Sequence, residues 1–419
     1  MDRIIFHSDM NCFYASVELL SRPELKDRPV AVAGDPQNRH GIILAKSQAA
    51  KEMGVKTAEA IWQAREKCPD LILLPPHYPK YIHYSQLARK IYNRYTDQLE
   101  GFGLDEAWMD VTGSQRLFGG GMDIARSISR TIKEELGLTV SIGVSWNKVF
   151  AKFGSDYKKP DAITEINRGN YKDLVWNSPI ENLLYCGRAT TRKLNAVGVK
   201  SIGQLARLDD GFLKGRMGKI GLMLKAFALG QDISPVRPFD EALGDTRRLV
   251  KSIGNGYTAP RDLETREDVK MMTTILSESV AARLRTAGLL AQTLSLHLRD
   301  KQLHSITRQK KFAAPSDITE EFITTAMAIF DANYFFHSPI RSMSIQACDL
   351  VDPVWGTQID FFTDQVARER TARLDRTIDD LRTRYGNQAV RRAITLGDSA
   401  MRVLDPLTDN VVHPNGFLH

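Results

Sequence analysis

The chain has 419 residues, of which 42% are apolar and 26% charged, and carries a formal net charge of +7. That length predicts about two to four domains; the composition is that of a soluble globular protein, and no apolar run reaches the roughly 18 residues of a membrane span. The opening MDRIIFHSD places charges beside a short apolar run and reads as a buried strand rather than a secretory signal, while Cys12, Cys68, Cys186 and Cys348 show no C-x-x-C spacing. A reduced, cytoplasmic setting is therefore expected. The positive charge is compatible with a polyanionic partner, because phosphate contacts by Lys and Arg release condensed counterions.

In chain order, Arg3 to Ser8 reads as a buried strand with Asp9 at its C-terminal end, and Phe13 to Leu20 as a helix start. Pro29 to Ala33 and Gly41 to Ala45 suggest two short strands before a helix from Ser47. Tyr81 to Leu99 has helical spacing, and Phe102 to Val111 reads as a strand hairpin. Ile124, Ile128, Ile132 and Leu136 fall four apart on one helical face, and Leu138 to Val144 is a further strand. This order predicts a split βαβ unit with an insertion after its first helix. From about residue 170 short helices alternate with Gly turns, and residues 236–248 read as a linker. A long helix follows over Glu267 to Arg285, with Val269, Met272, Leu276, Val280 and Leu284 as its buried stripe. Thr293 to Arg299 alternates as a half-exposed strand, whose polar face with Arg308, Lys310 and Lys311 is expected to be basic. The tail predicts a helix with Leu374, Ile378, Leu381 and Tyr385 on one face, ended by Gly386.

Two acidic sites lie within apolar sequence: Asp9 after Ile4-Ile5-Phe6, and Asp105-Glu106 between Phe102-Gly103-Leu104 and Ala107-Trp108-Met109. Buried carboxylates need partners, and neither run holds a Lys or Arg. Magnesium would satisfy three such oxygen donors. Alternatively, Asp9 caps the next helix and Asp105-Glu106 occupies a polar turn. Adjacent strand residues point to opposite faces, so Asp105 and Glu106 can share a site only near a turn or distortion. Downstream, Lys148 and Lys152 fall on one helical face, and Lys159 precedes Pro160, where the helix must end. These lysines would meet a triphosphate or nucleic-acid backbone, or form a solvated basic face partnered by Asp156.

Asp9-Met10-Asn11-Cys12-Phe13-Tyr14-Ala15-Ser16-Val17-Glu18, Leu104-Asp105-Glu106-Ala107-Trp108-Met109-Asp110-Val111 and the lysine segment with Asp156 and Lys159-Pro160 resemble, in order, three motifs of the Y-family DNA polymerases. The similarity is greatest to the DNA polymerase IV branch and extends over nearly the whole chain. It implies an α+β right-hand polymerase: a split βαβ, ferredoxin-like palm (1–20 and 76–166), small fingers (21–75), a helix-hairpin-helix thumb (167–235), an α/β little finger (249–352) and a C-terminal tail (353–419). It also implies error-prone, template-directed translesion synthesis from dNTPs on primer-template DNA, without a proofreading exonuclease. Asp9, Asp105, Glu106 and the Met10 carbonyl would hold two magnesium ions, with manganese as the alternative. Tyr14 would be the steric gate against a 2′-hydroxyl, and Lys159 would contact the triphosphate. Asn11 stands where the family usually has Asp, Gly103 replaces a Ser, and Gln48 and Lys51 fall where a Tyr and an Arg usually reach the triphosphate.

Tyr185-Cys186-Gly187-Arg188-Ala189-Thr190-Thr191-Arg192-Lys193-Leu194, leading to Gly198, resembles a helix-hairpin-helix, although the pattern normally begins with glycine where Tyr185 stands. Gly187 and Thr190 would offer backbone N–H groups to a DNA phosphate. Lys148, Lys152, Arg299 and Arg308 are further expected DNA contacts. Gln358-Ile359-Asp360-Phe361-Phe362 resembles the peptide by which bacterial polymerases dock on the sliding clamp, with Gln358, Ile359, Phe361 and Phe362 as anchors; a buried strand end is its alternative. The enzyme is expected to be a monomer with no membrane partner. A catalytically silent DNA-binding accessory protein and a nucleotide cyclase are the competing readings; the three intact carboxylates argue against the first, the thumb and little-finger similarity against the second.

Overall fold

The computed structural model describes residues 2–34, 41–239, 250–353, 364–405 and 407. Two compact units divide the chain, one built on Met1–Asp245 and one on Thr246–Asn415. The strands of the first unit are β1 (Ile5–Met10), β2 (Val30–Ala33), β3 (Ile43–Lys46), β4 (Ile72–Leu74), β5 (Leu99–Gly101), β6 (Glu106–Asp110), β7 (Val140–Ser145) and β8 (Ile163–Glu165). Five of them form a sheet in the order β5-β6-β1-β7-β8, antiparallel except for the β7–β8 pair. A separate small sheet, β3-β2-β4, lies within the chain segment inserted after the first helix.

Every residue of β1 is buried because helices cover both faces of this central strand. On one face Phe6 and Met10 pack with Ile124, Ile128 and Ile132 of helix Gly121–Leu136 and with Ile91 and Tyr92 of helix Tyr78–Asn93. On the other, Ile5 packs with Ala151 of helix Lys148–Tyr157, and His7 Nδ1 lies 2.8 Å from Ser155 Oγ. This helix crosses the sheet at Gly143, where a Cβ would fall 1.9 Å from the Ala151 carbonyl oxygen. The missing side chain thus sets how close the helix, and Lys152 upon it, comes to β1.

Two expected boundaries move. The helix read over Tyr81 to Leu99 is Tyr78–Asn93, since Pro79 fits a helix's first turn, where its missing N–H costs nothing. The hairpin begins three residues earlier than predicted: Leu99–Gly101 is its first strand and Phe102 to Asp105 its turn. Gly103 at φ +98° makes that turn, closed by the Phe102 N–H donating to the Glu106 carbonyl at 2.8 Å. Further on, helices Arg188–Asn195, Ile202–Ala206, Asp210–Met217 and Lys219–Ala228 gather around Phe150, Leu194, Ile202, Leu205, Leu213 and Leu224. Val236 is buried, and the Phe239 N–H donates to the Asp97 carbonyl, so the first residues of the expected linker pack on this unit.

The second unit holds β9 (Ser252–Leu263), β10 (Leu290–Asp300), β11 (Ser305–Ser316) and β12 (Ile340–Val351), all antiparallel in the order β11-β10-β12-β9. Helices Arg266–Ala287 and Thr319–Asn333 cover one face, and the stripe of Val269, Met272, Leu276, Val280 and Leu284 is fully buried as expected. The tail helix Gln365–Tyr385 departs from its predicted face. Leu374 and Tyr385 are exposed, whereas Asp375 and Arg382 are buried. Its docking runs through ion pairs: Arg285 reaches Asp375 (3.4 Å) and Asp379 (2.5 Å), and Arg382 reaches Glu278 (3.1 Å). Apolar spacing was the wrong guide here because the facing surface is charged.

Candidate active site

The antiparallel register of β1 with β6 sets Asp9 opposite Glu106 and His7 opposite Trp108, so all four share the face beneath helix Lys148–Tyr157. Asp105 stands just before β6, in the turn, where consecutive residues need not alternate. The turn is pinned from both sides. Met10 N–H donates to the Asp105 carbonyl (3.0 Å), Arg89 donates to the Gly103 carbonyl (2.9 Å), and the Ser85 hydroxyl donates to the Leu104 carbonyl. Burial, followed by the charges of Asp9 and Glu106, pushes the Asp105 carboxyl up to about 7. Burial and then Glu106 also raise Asp9, against the opposing pull of Lys159 and Lys152.

Glu106 Oε2 lies 3.2 Å from His7 Nε2 and 2.9 Å from Lys152 Nζ. Burial pushes Glu106 up, but these two neighbours outweigh it and hold the carboxyl below its usual range. Because burial drives His7 itself toward the neutral form, Lys152 is the firmer support. The same ammonium is 3.4 Å from Asp9 Oδ2 and 3.1 Å from Asp156 Oδ2. Lys159 Nζ contacts Asp9 Oδ2 at 2.6 Å and Asp156 Oδ1 at 2.8 Å. Lys152 and Lys159 are therefore engaged by carboxylates. Lys148, expected beside Lys152, instead pairs with Glu100 (2.7 Å) over the Trp108 ring.

The chemistry of the donors suits a hard divalent cation: three carboxylates at one end of the sheet, two of them raised by burial and then by neighbouring negative charge. Among the described residues no three His, Cys, Asp or Glu side chains are placed so that together they could hold a metal ion. Magnesium sites commonly leave positions for water and substrate phosphate, so an open set is compatible with that ion.

Beside the carboxylates, Tyr14 projects from helix Phe13–Leu19, its hydroxyl pushed up to about 12 by burial and then by Asp105 and Tyr78. Its ring lies parallel to that of Tyr81, with centroids 4.1 Å apart. Ser47 caps helix Gln48–Glu52, in which the Gln48 amide donates to Glu52 (3.0 Å). Burial raises the Cys12 thiol, against the opposing charges of Lys51, Lys46 and Lys159. Sequence reasoning missed His7, Ser155, Tyr81, Glu18 and Lys46. His7 alone left a local signal, two residues before Asp9 on the same strand face.

Gly187 is the N-cap of helix Arg188–Asn195 and Thr190 lies in its first turn. Tyr185 holds φ +65°, the left-handed conformation that the usual glycine would adopt freely, so the turn keeps its shape with a residue ill-suited to it. In the second unit, Arg299 pairs with Ser305 on the face opposite the helices. Arg308 pairs with Leu296 on the helix side and donates to Asn333 (3.2 Å). The single basic face expected here is thus split: Lys311, opposite Thr293, lies on Arg299's side, and Lys310, opposite Leu294, on that of Arg308. Gln358, Ile359, Phe361 and Phe362 lie outside the described residues.

Sequence profiles of the impB/mucB/samB family and of its C-terminal domain match residues 8–156 and 250–361. The chain is 46% identical over 401 residues to DNA polymerase IV of Acetivibrio thermocellus, covering 96% of this chain and 99% of that protein. The chain belongs to the DNA polymerase IV family. DNA polymerase IV 2 of Bacillus subtilis is 35% identical over 405 residues, covering 94% of this chain and 95% of that one. A solved chimeric Y-family DNA polymerase superposes with a TM-score of 0.72 at 21% identity, over 83% of this chain and 99% of its own. That likeness gives the α+β multidomain fold of the Y-family to this DNA polymerase IV relative. No described helix is long and apolar enough to cross a membrane.

Proposed function

We propose that the chain extends a primer 3′-end on a DNA template, tolerating damaged template bases and lacking proofreading, with magnesium held by Asp9, Asp105, Glu106 and the Met10 carbonyl. By family it is a DNA-directed DNA polymerase, and primer-template DNA and dNTPs are its substrates. The observation that carries the site assignment is the Asp9–Glu106 register, with Asp105 in the adjoining turn and its carboxyl raised by burial and then by its neighbours. Two bound magnesium ions, or manganese in their place, would activate the primer hydroxyl and draw charge from the leaving pyrophosphate.

The remaining work falls to the chain. Lys152 offsets the negative charge of Glu106 and Asp9; Lys159, Lys51 and Lys46 would present positive charge to the triphosphate as point charges rather than bidentate forks. Gln48 would contact the same nucleotide, and Tyr14 serves as the gate that rejects a 2′-hydroxyl. We assign the five-stranded sheet to the palm (1–20 and 76–166), β3-β2-β4 to the fingers (21–75), the short helices to the thumb (167–235) and the four-stranded sheet to the little finger (249–352). Gly187, Thr190 and Arg299 would meet the DNA backbone. Gln358 to Phe362, between the end of β12 and helix Gln365–Tyr385, would dock a sliding clamp, a tether that raises local DNA concentration.

Primer extension with magnesium and single dNTPs or rNTPs tests this reading, with Asp105→Ala beside the unaltered chain. Template-dependent dNTP addition that the variant loses, while it still binds DNA, is the expected outcome. Extension retained by Asp105→Ala would refute the site, and shortening of a mispaired primer would refute the absence of proofreading.

A further inference from the structure

Tyr14 and Glu18 lie one turn apart on helix Phe13–Leu19 and so share a face. Tyr81, from helix Tyr78–Asn93, spans the two. Its ring lies 4.1 Å from that of Tyr14 with only 9° between their planes, and its hydroxyl donates to Glu18 Oε1 at 2.8 Å. Free aromatic pairs settle into offset or edge-on arrangements with centroids about 4.5–7 Å apart. A closer, near-parallel pair needs a constraint, and the far end of Tyr81 supplies one.

That end is fixed on every side. Tyr81 and Glu18 are both fully buried. The His77 N–H donates to the Tyr81 hydroxyl (3.0 Å), and His77 Nδ1 lies 2.8 Å from Glu18 Oε1. The other carboxylate oxygen takes Arg22 at 3.0 Å, with Lys80 at 3.7 Å. Burial alone would raise the Glu18 carboxyl, yet the hydrogen bonds from Tyr81, His77 and Arg22 together hold it below its usual range. An ionised, saturated carboxylate at this depth is a rigid anchor. Tyr78 closes the edge of the Tyr14 ring in a T-shaped contact at 6.0 Å.

We infer that Glu18 and Tyr81 are specificity-determining positioning residues: the Glu18–Tyr81 hydrogen bond fixes the surface against which Tyr14 rests, and so sets how strictly the site rejects ribonucleotides. This rests on reading Tyr14 as the gate. A ring free to tilt or slide yields room to a 2′-hydroxyl, while a ring backed by an immobile neighbour does not. Neither Glu18 nor Tyr81 touches the nucleotide; both act through Tyr14.

The test is a double-mutant cycle on the ratio of kcat/KM for a dNTP to that for the matching rNTP. Tyr81→Phe keeps the ring and removes only the hydroxyl, which leaves the core packed. It is expected to lower the ratio about tenfold through faster rNTP addition, an effect that merely looser packing would not produce. Glu18→Gln should act in the same direction, and Tyr14→Ala should abolish most of the discrimination. In the Tyr14→Ala background, Tyr81→Phe should change nothing further. If Tyr14→Ala leaves the ratio intact, the gate reading itself fails. If Tyr14→Ala lowers it but Tyr81→Phe does not, or if the two effects simply add, the gate stands and the positioning role is overturned.

Discussion

A Cβ placed on Gly103 would lie 3.3 Å from Oδ1 of Asp105. Gly103 also sits at φ +98°, a conformation that costs any L-residue about 1–2 kcal/mol. Gly103→Ala should therefore both strain the turn and press on the carboxylate it delivers. The expected outcome is a loss of stability of about 1–2 kcal/mol, with a several-fold rise in the magnesium concentration for half-maximal primer extension. A thermal melt and a magnesium titration read the two effects separately.

Lys152 is the shared counter-charge of Glu106 and Asp9. Lys152→Met leaves part-buried Glu106 without its lysine opposite buried Asp9, which keeps Lys159, a loss of about 1–3 kcal/mol in metal-free protein. Magnesium binding to the same carboxylates should recover more stability in the variant than in the parent, since the lysine no longer competes. Melting curves with EDTA and with magnesium check this; an equal magnesium shift in both proteins would count against it.

At Gly143 the constraint is space, not backbone conformation. A methyl group 1.9 Å from the Ala151 carbonyl oxygen cannot be absorbed by a side-chain rotation. Gly143→Ala should push helix Lys148–Tyr157 off the sheet and destabilise the first unit by several kcal/mol, roughly the cost of overpacking a core. Limited proteolysis would show this unit digested first.

Asp268 gives the second unit an acid-sensitive element. The Arg261 guanidinium, then the N–H groups of Glu264 and Thr265, overcome burial and hold its carboxyl far below the usual range. A depressed folded-state pKa stabilises above the unfolded value, about 3.9, and that contribution fades as pH falls through the lower one. Asp268→Asn should therefore cost stability at pH 7, and the gap to the parent should close below about pH 4. Denaturant melts across that range measure it.

Much of the frame was legible locally. Ile124, Ile128 and Ile132 point to the core as their spacing requires, and the long helix of the second unit buries its predicted stripe. Errors fell where local apolarity and geometry disagree: Phe102 to Leu104 looks like strand but is bent by Gly103, and Leu99 looks helical but pairs with Met109. The tail helix was misread because its partners are charges on Arg285 and Glu278, about a hundred residues away in sequence. At the candidate site the carboxylates stood out as acids within apolar runs. Their lysine partners did not, since Asp9 and Lys159 are 150 residues apart and nothing local couples them.

The facing of Asp9 and Glu106 has a further consequence for how the chain can vary. Side chains on a strand alternate, so a one-residue slip of β6 against β1 would turn Glu106 toward the Ile124–Ile132 helix and bring a neighbour to the carboxylate side. No single substitution repairs that. The pairing of these two strands is as much a part of the site as its acids.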